Sequence, residues 1–122
     1  MPSAPIPVLI GGHSDAALGR AARLGDGWLH GGGDQAELPG LLARLAEHRR
    51  AAGTAGRPFE VHAISADAYT TDGVRRLADH GVTDVIVGFR WPYQVGPDPE
   101  PLADKLTKLR RFADAVIARQ PS

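Results

Sequence analysis

The chain has 122 residues, with fourteen basic and fourteen acidic side chains, no cysteine, and 43% hydrophobic residues. That length suits a single domain, residues 1–122, with one modest core burying roughly two-thirds of the unfolded surface. The cancelled charge argues against nucleic acid or an anionic membrane surface as partner, and the missing cysteine excludes disulfides, thiolate metal sites and cysteine nucleophiles. No apolar run approaches the roughly 20 residues of a membrane span, and no basic-then-apolar leader pattern is visible, so a soluble cytoplasmic protein without membrane contact is expected.

The first unit is an unbroken apolar run, Ile6 to Ile10, of the kind a parallel strand covered on both faces requires. Gly11 and Gly12 end it. Ser14 is a good helix cap, Asp15 suits the positive end of the helix dipole, and Ala17, Leu18, Ala21 and Leu24 recur on one helical face before Gly25 stops the helix. Trp28 and Leu29 form a short second strand leading into Gly31-Gly32-Gly33. Asp34 is positioned to cap a helix with Leu38, Leu41, Leu42, Leu45 and Ala46 inward, while Arg44, Glu47, Arg49 and Arg50 read as a solvated surface.

After a breaker-rich loop from Gly53 to Pro58, Phe59 to Ser65 reads as a strand. A helix is predicted from about Asp72 to His80, with Val74, Leu77 and Ala78 inward and Gly81 as its stop. Asp84 to Phe89 is the clearest buried strand, centred on Val85-Ile86-Val87. A proline-rich loop from Arg90 to Pro101 precedes a last helix, with Leu102, Leu106, Leu109, Phe112, Ala113 and Val116 at helical spacing. Four strand–helix units in succession imply an α/β fold with a parallel sheet and right-handed crossovers. Four βα units make half of a (β/α)8 barrel; a small doubly wound sheet is the alternative.

The proline-led strand, Gly11-Gly12-His13-Ser14, the Ala- and Arg-rich helix and Gly25-Asp26-Gly27-Trp28 together resemble the luciferase-like monooxygenase family, most closely over residues 5–28. The resemblance implies a (β/α)8 TIM-type barrel and a flavin- or deazaflavin-dependent oxidoreductase, with FMN or coenzyme F-420 as cofactor. In that family this strand lies past the barrel midpoint, so the chain is expected to be the C-terminal half, four βα units without the first half. Gly19, where family members often carry arginine, departs from the pattern. The family's substrate pocket and much of its contact with the cofactor ring come from the half not represented here, so no catalytic residue is nominated.

Gly11, Gly12, His13 and Ser14 can be read as a tight βα turn and nothing more. The resemblance instead implies a phosphate cradle, in which the amides of Gly12 and His13, the hydroxyl of Ser14 and the helix N-terminus hold the cofactor. Gly31 and Gly32 follow the adjacent strand and are either a slack connection or a second contact with the same phosphate. Asp26-Gly27-Trp28 reads as structural: Gly27 for close helix–strand packing, Trp28 for the core. His13, His30 and His62 lie on or near strands, yet share no ligand-type spacing and have no evident carboxylate beside them, so no metal site is assigned. His48 and His80 read as exposed. Arg90, Trp91 and Tyr93, after the last strand, either touch a cofactor or shield the core.

A half-barrel leaves two strand edges and one inner face bare. A homodimer, or a second chain supplying the missing half-barrel, is therefore expected. The competing functional reading is a non-catalytic remnant or a phosphate-binding module that needs a partner chain.

Overall fold

The computed structural model describes residues 6–32, 35–88 and 96–120. Strand β1 (Leu9–Gly11) leads to helix α1 (Asp15–Leu24), then β2 (Gly27–His30), a 3-10 turn at Gln35–Glu37 and α2 (Leu38–Ala52). Strand β3 (Glu60–Ile64), a 3-10 turn at Ala66–Tyr69, α3 (Thr71–Asp79), β4 (Asp84–Ile86) and α4 (Leu102–Ala115) complete the order. The four strands form one sheet in the order β1-β2-β3-β4, every pair parallel.

Paired residues of a parallel ladder point to the same side, so the register sorts the two faces. Ile10, Trp28, Val61 and Val85 share one side; Trp28, Val61 and Ala63 join Leu18 and Ala21 of α1, Leu41, Leu42 and Leu45 of α2 and Leu77 of α3 in a single core, with Ile10 and Val85 packed against it. Helices α1 to α3 therefore cover the same face. A doubly wound sheet would reverse its strand order and take helices on both faces; the sequential order with one helical face is that of four consecutive units of a (β/α)8 barrel.

The opposite face carries Leu9, Leu29, Glu60, His62, Ile64, Asp84 and Ile86, none of them buried. The first strand is correspondingly shorter and barer than its apolar run suggests. Ile6 is 73% exposed and Val8 55%, because β1 is an edge strand, with a neighbour on one side only among the described residues. The expected burial of Asp84 to Phe89 fails for the same reason: β4 is the other edge, Val85 is half-buried and Ile86 exposed. Phe89 lies outside the described residues.

Local chemistry sets the element ends. The Ser14 hydroxyl accepts the Ala17 N–H as the cap of α1, and Thr70 does the same for Gly73 at α3, which begins at Thr71, one residue before the predicted start. Helix α2 begins at Leu38 rather than directly after Asp34, which is outside the described residues. Leu24 and Ala78, expected inward, face solvent, while Gly73 is buried where a Cβ would meet the Asp67 carbonyl oxygen. Arg49 is half-buried rather than solvated: Nη2 donates to the carbonyls of Thr54 and Arg57 at 2.9 and 2.8 Å, and the guanidinium lies 4.3 Å from the Phe59 ring centre. That residue and Thr54, whose hydroxyl donates to the Ala22 carbonyl at 2.8 Å, organise the breaker-rich loop.

Candidate functional site

Barrels carry their chemistry at the C-terminal ends of their strands. At that end of β1 the chain turns through Gly11 and Gly12 into the N-terminus of the ten-residue helix α1. Gly12 has φ +112°, a backbone state that side chains resist, and a Cβ there would stand 2.7 Å from that of Ala17. The turn is held from below by Trp28, whose fully buried indole donates Nε1–H to the Gly12 carbonyl at 2.9 Å. Trp28 thus joins the core to the loop, a role its place in the sequence did not reveal. Gly27 also differs from expectation. Its close neighbours are strands rather than a helix: a Cβ would fall 2.3 Å from Leu9 Cδ2 and 2.4 Å from the Glu60 carbonyl oxygen. Asp26 secures the same edge, its carboxylate accepting the Val8 N–H at 2.9 Å.

The donor set suits a phosphate. Ser14 Oγ accepts from Ala17 N at 3.1 Å, which leaves its O–H free to donate. The α1 N-terminus adds backbone N–H groups and the positive end of the dipole. Asp15, in the first turn, would oppose an anion, but its carboxylate is engaged from α2 by Arg44 at 3.1 Å and His48 at 3.5 Å. Arg44 and the half-buried His48 are therefore not mere solvated surface, although both pairs are too exposed to contribute much stability.

Beside the loop, the His13 ring stacks on His30, centroids 4.8 Å apart and planes 4° from parallel. His30 is fully buried, and among the described residues neither ring nitrogen has a hydrogen-bond partner. Burial, followed by the like charge of His13, lowers its pKa from the ordinary 6.5, outweighing the Ile64 backbone and Glu37, which pull upward. Gly31 and Gly32 continue from the end of β2 next to this loop; Gly31 is exposed, and a Cβ on either would meet open space. Gly11 to Ser14, His30, Gly31 and Gly32 are therefore gathered at one end of two adjacent strands. Gly33, Arg90, Trp91 and Tyr93 lie outside the described residues.

His62 is on the other side of the sheet, away from His13 and His30. Contrary to the sequence reading, two carboxylates flank it: Asp84 Oδ2 at 3.2 Å and Glu60 Oε2 at 3.6 Å from Nε2. Glu60 precedes His62 by two residues on β3, and Asp84 is its register partner on β4. Alternation along β3 puts Glu60 on the face of His62, whereas strand pairing brings Asp84 there, which sequence spacing does not disclose.

The model of a family described as luciferase-like monooxygenase matches residues 1–106 of the chain. The chain belongs to the luciferase-like monooxygenase family. It is 60% identical over 118 residues to the uncharacterized protein Rv0940c of Mycobacterium tuberculosis strain H37Rv and to the uncharacterized protein Mb0965c of Mycobacterium bovis, covering 97% of this chain. It spans only 40% of the length of those curated relatives. Among solved structures, it is similar in fold to a coenzyme F-420-dependent tetrahydromethanopterin reductase from Methanopyrus kandleri, with a TM-score of 0.64 at 16% identity, over 93% of this chain and 50% of that one. The coverage matches the four-unit sheet: this chain is half of a barrel. The family tie relates it to flavin- and deazaflavin-type oxidoreductases. Among the described residues, no helix is long and apolar enough to cross a membrane.

Proposed function

We propose that this chain is the cofactor-phosphate-holding half of a flavin- or deazaflavin-dependent oxidoreductase of the luciferase-like type. The observation that carries the reading is the Gly11–Ser14 loop. It combines a glycine-only turn, a free hydroxyl hydrogen on Ser14 and the N-terminus of a full helix, at the strand end where barrels bind phosphates. FMN and coenzyme F-420 both carry a phosphate for such a cradle. When bound, the cofactor ring supplies hydride transfer or oxygen activation. The residues of this chain bind and orient it: Gly12 and His13 through backbone amides, Ser14 through its hydroxyl, Gly31 and Gly32 as neighbouring backbone, and Trp28 by fixing the turn.

The bare edges and inner face support a second part of the proposal. A second copy of the chain, or a chain supplying the first four units, completes the barrel and brings the ring contacts and substrate pocket. A phosphate-binding module without catalysis rests on the same loop and differs only in lacking turnover.

Fluorescence titration of the purified chain with FMN, riboflavin and coenzyme F-420 tests the cradle. Binding of FMN or coenzyme F-420, with FMN preferred over phosphate-free riboflavin, is expected. Ser14→Asp keeps a good helix cap but sets a carboxylate against the phosphate, so it should fold and lose that preference. Absence of binding by the wild-type chain, or equal affinities for FMN and riboflavin, overturns the reading.

A further inference from the structure

We propose that Glu60, His62 and Asp84 form a binding site for a first-row divalent metal ion, of the zinc type, on the sheet face opposite α1 to α3. One ligand atom from each of the three residues lies within 4.8 Å of the others. Ligand atoms about 2.1 Å from a tetrahedral zinc stand about 3.4 Å from each other. The separations of His62 Nε2 from Asp84 Oδ2, 3.2 Å, and from Glu60 Oε2, 3.6 Å, bracket that value.

Orientation gives independent support. His62 Nε2 is itself buried and, despite its proximity to Asp84, has no hydrogen-bond partner among the described residues. A buried nitrogen without a hydrogen-bond partner among the described residues, with two carboxylate oxygens at ligand-like separations, is arranged as a metal ligand. Asp84 is further oriented by Thr83, whose Oγ1 donates to Asp84 Oδ2 at 2.7 Å and accepts the Val61 N–H at 2.8 Å. Such outer hydrogen bonds fix a carboxylate for a metal.

The ligand set also decides the kind of ion. Two carboxylates and a neutral imidazole carry two negative charges, matched by a divalent cation. One nitrogen and two oxygens, without sulfur, suit zinc, cobalt or manganese over copper(I). Three protein ligands leave a position for water, and His62 and its neighbours are open enough to admit it. The ion would cross-link β3 to β4, the edge strand of the sheet among the described residues.

The test is titration of the metal-stripped chain with Zn2+, by calorimetry and by NMR of the five histidine rings, and with Co2+ by visible absorption. The expected result is one ion per chain, a cobalt ligand-field band, perturbation of the His62 ring by the first equivalent, and a higher melting temperature. His62→Gln and Asp84→Asn should each weaken binding at least about tenfold, whereas His80→Gln, on the α3 end, should not. Should either site variant fail to fold, the histidine spectra of the wild-type chain decide. No binding, or a first equivalent that perturbs His13, His48 or His80 and leaves His62 unmoved, overturns the proposal.

Discussion

Trp28 links the core of this protein to its candidate site. Its ring is buried among α1 and α2 residues while its N–H supports the Gly12 carbonyl. Trp28→Phe keeps most of the apolar volume and deletes that donor. It should cost about 1 kcal/mol in denaturant unfolding and weaken cofactor binding by loosening the turn; unchanged stability would show that the hydrogen bond is inconsequential. His30 yields a different prediction. Its folded-state pKa lies below 6.5, so between the two values the unfolded chain binds more protons than the folded one. Stability contributed by neutral His30 is therefore present above pH 6.5 and lost as the pH falls through the lowered folded value. His30→Phe should flatten the stability profile on that acid side. An unaltered slope would assign the acid sensitivity to other groups.

Helices α2 and α4 have similar apolar spacing and opposite fates. Leu41 and Leu45 of α2 are buried against the sheet and α1, whereas Leu102, Leu106 and Leu109 of α4 remain exposed. Helix α4 meets the other elements through an edge-on contact of Phe112 with Tyr69 and through the Thr71 hydroxyl, which donates to the Ala115 carbonyl. Its polar side is tied locally, Lys105 pairing with Asp98 and Lys108 with Glu100. Leu41→Ala should cost about 2–5 kcal/mol. Leu109→Ala should stay within about 0.5 kcal/mol. Comparable losses in chemical denaturation would mean that α4 is packed far more firmly than its exposure indicates.

Among the described residues the half-barrel has two open edges, and apolar side chains lie exposed at both. Ile6 and Val8 flank β1, Ile86 ends β4, and among the described residues each of these two strands has a neighbour on one side only. Light scattering should find the wild-type chain as a dimer or larger species, and Ile6→Lys with Val8→Lys should shift it toward monomer. A wild-type monomer at every concentration, melting cooperatively, would remove the need for a complement. A full barrel hides such edges by closure.

Much of this protein is local and hence legible in its residues. The glycine turn and the Ser14 cap, the order of four strand–helix units, and the buried faces of α1 and α2 all follow from spacing and backbone preference within a few positions. Burial of the first and last strands did not follow, since an apolar run looks the same in a central strand as at an edge. Only the sheet order puts Ile6, Val8 and Ile86 at its margins. The loop of the candidate site was visible because contiguous residues build it, but its Trp28 support spans sixteen positions. Asp84 was separated from Glu60 and His62 by chain distance and joined to them by strand register. Periodicity and capping act between near neighbours, so they determine the elements; which side chains meet across the sheet is decided by pairing, which exists only once the chain has folded.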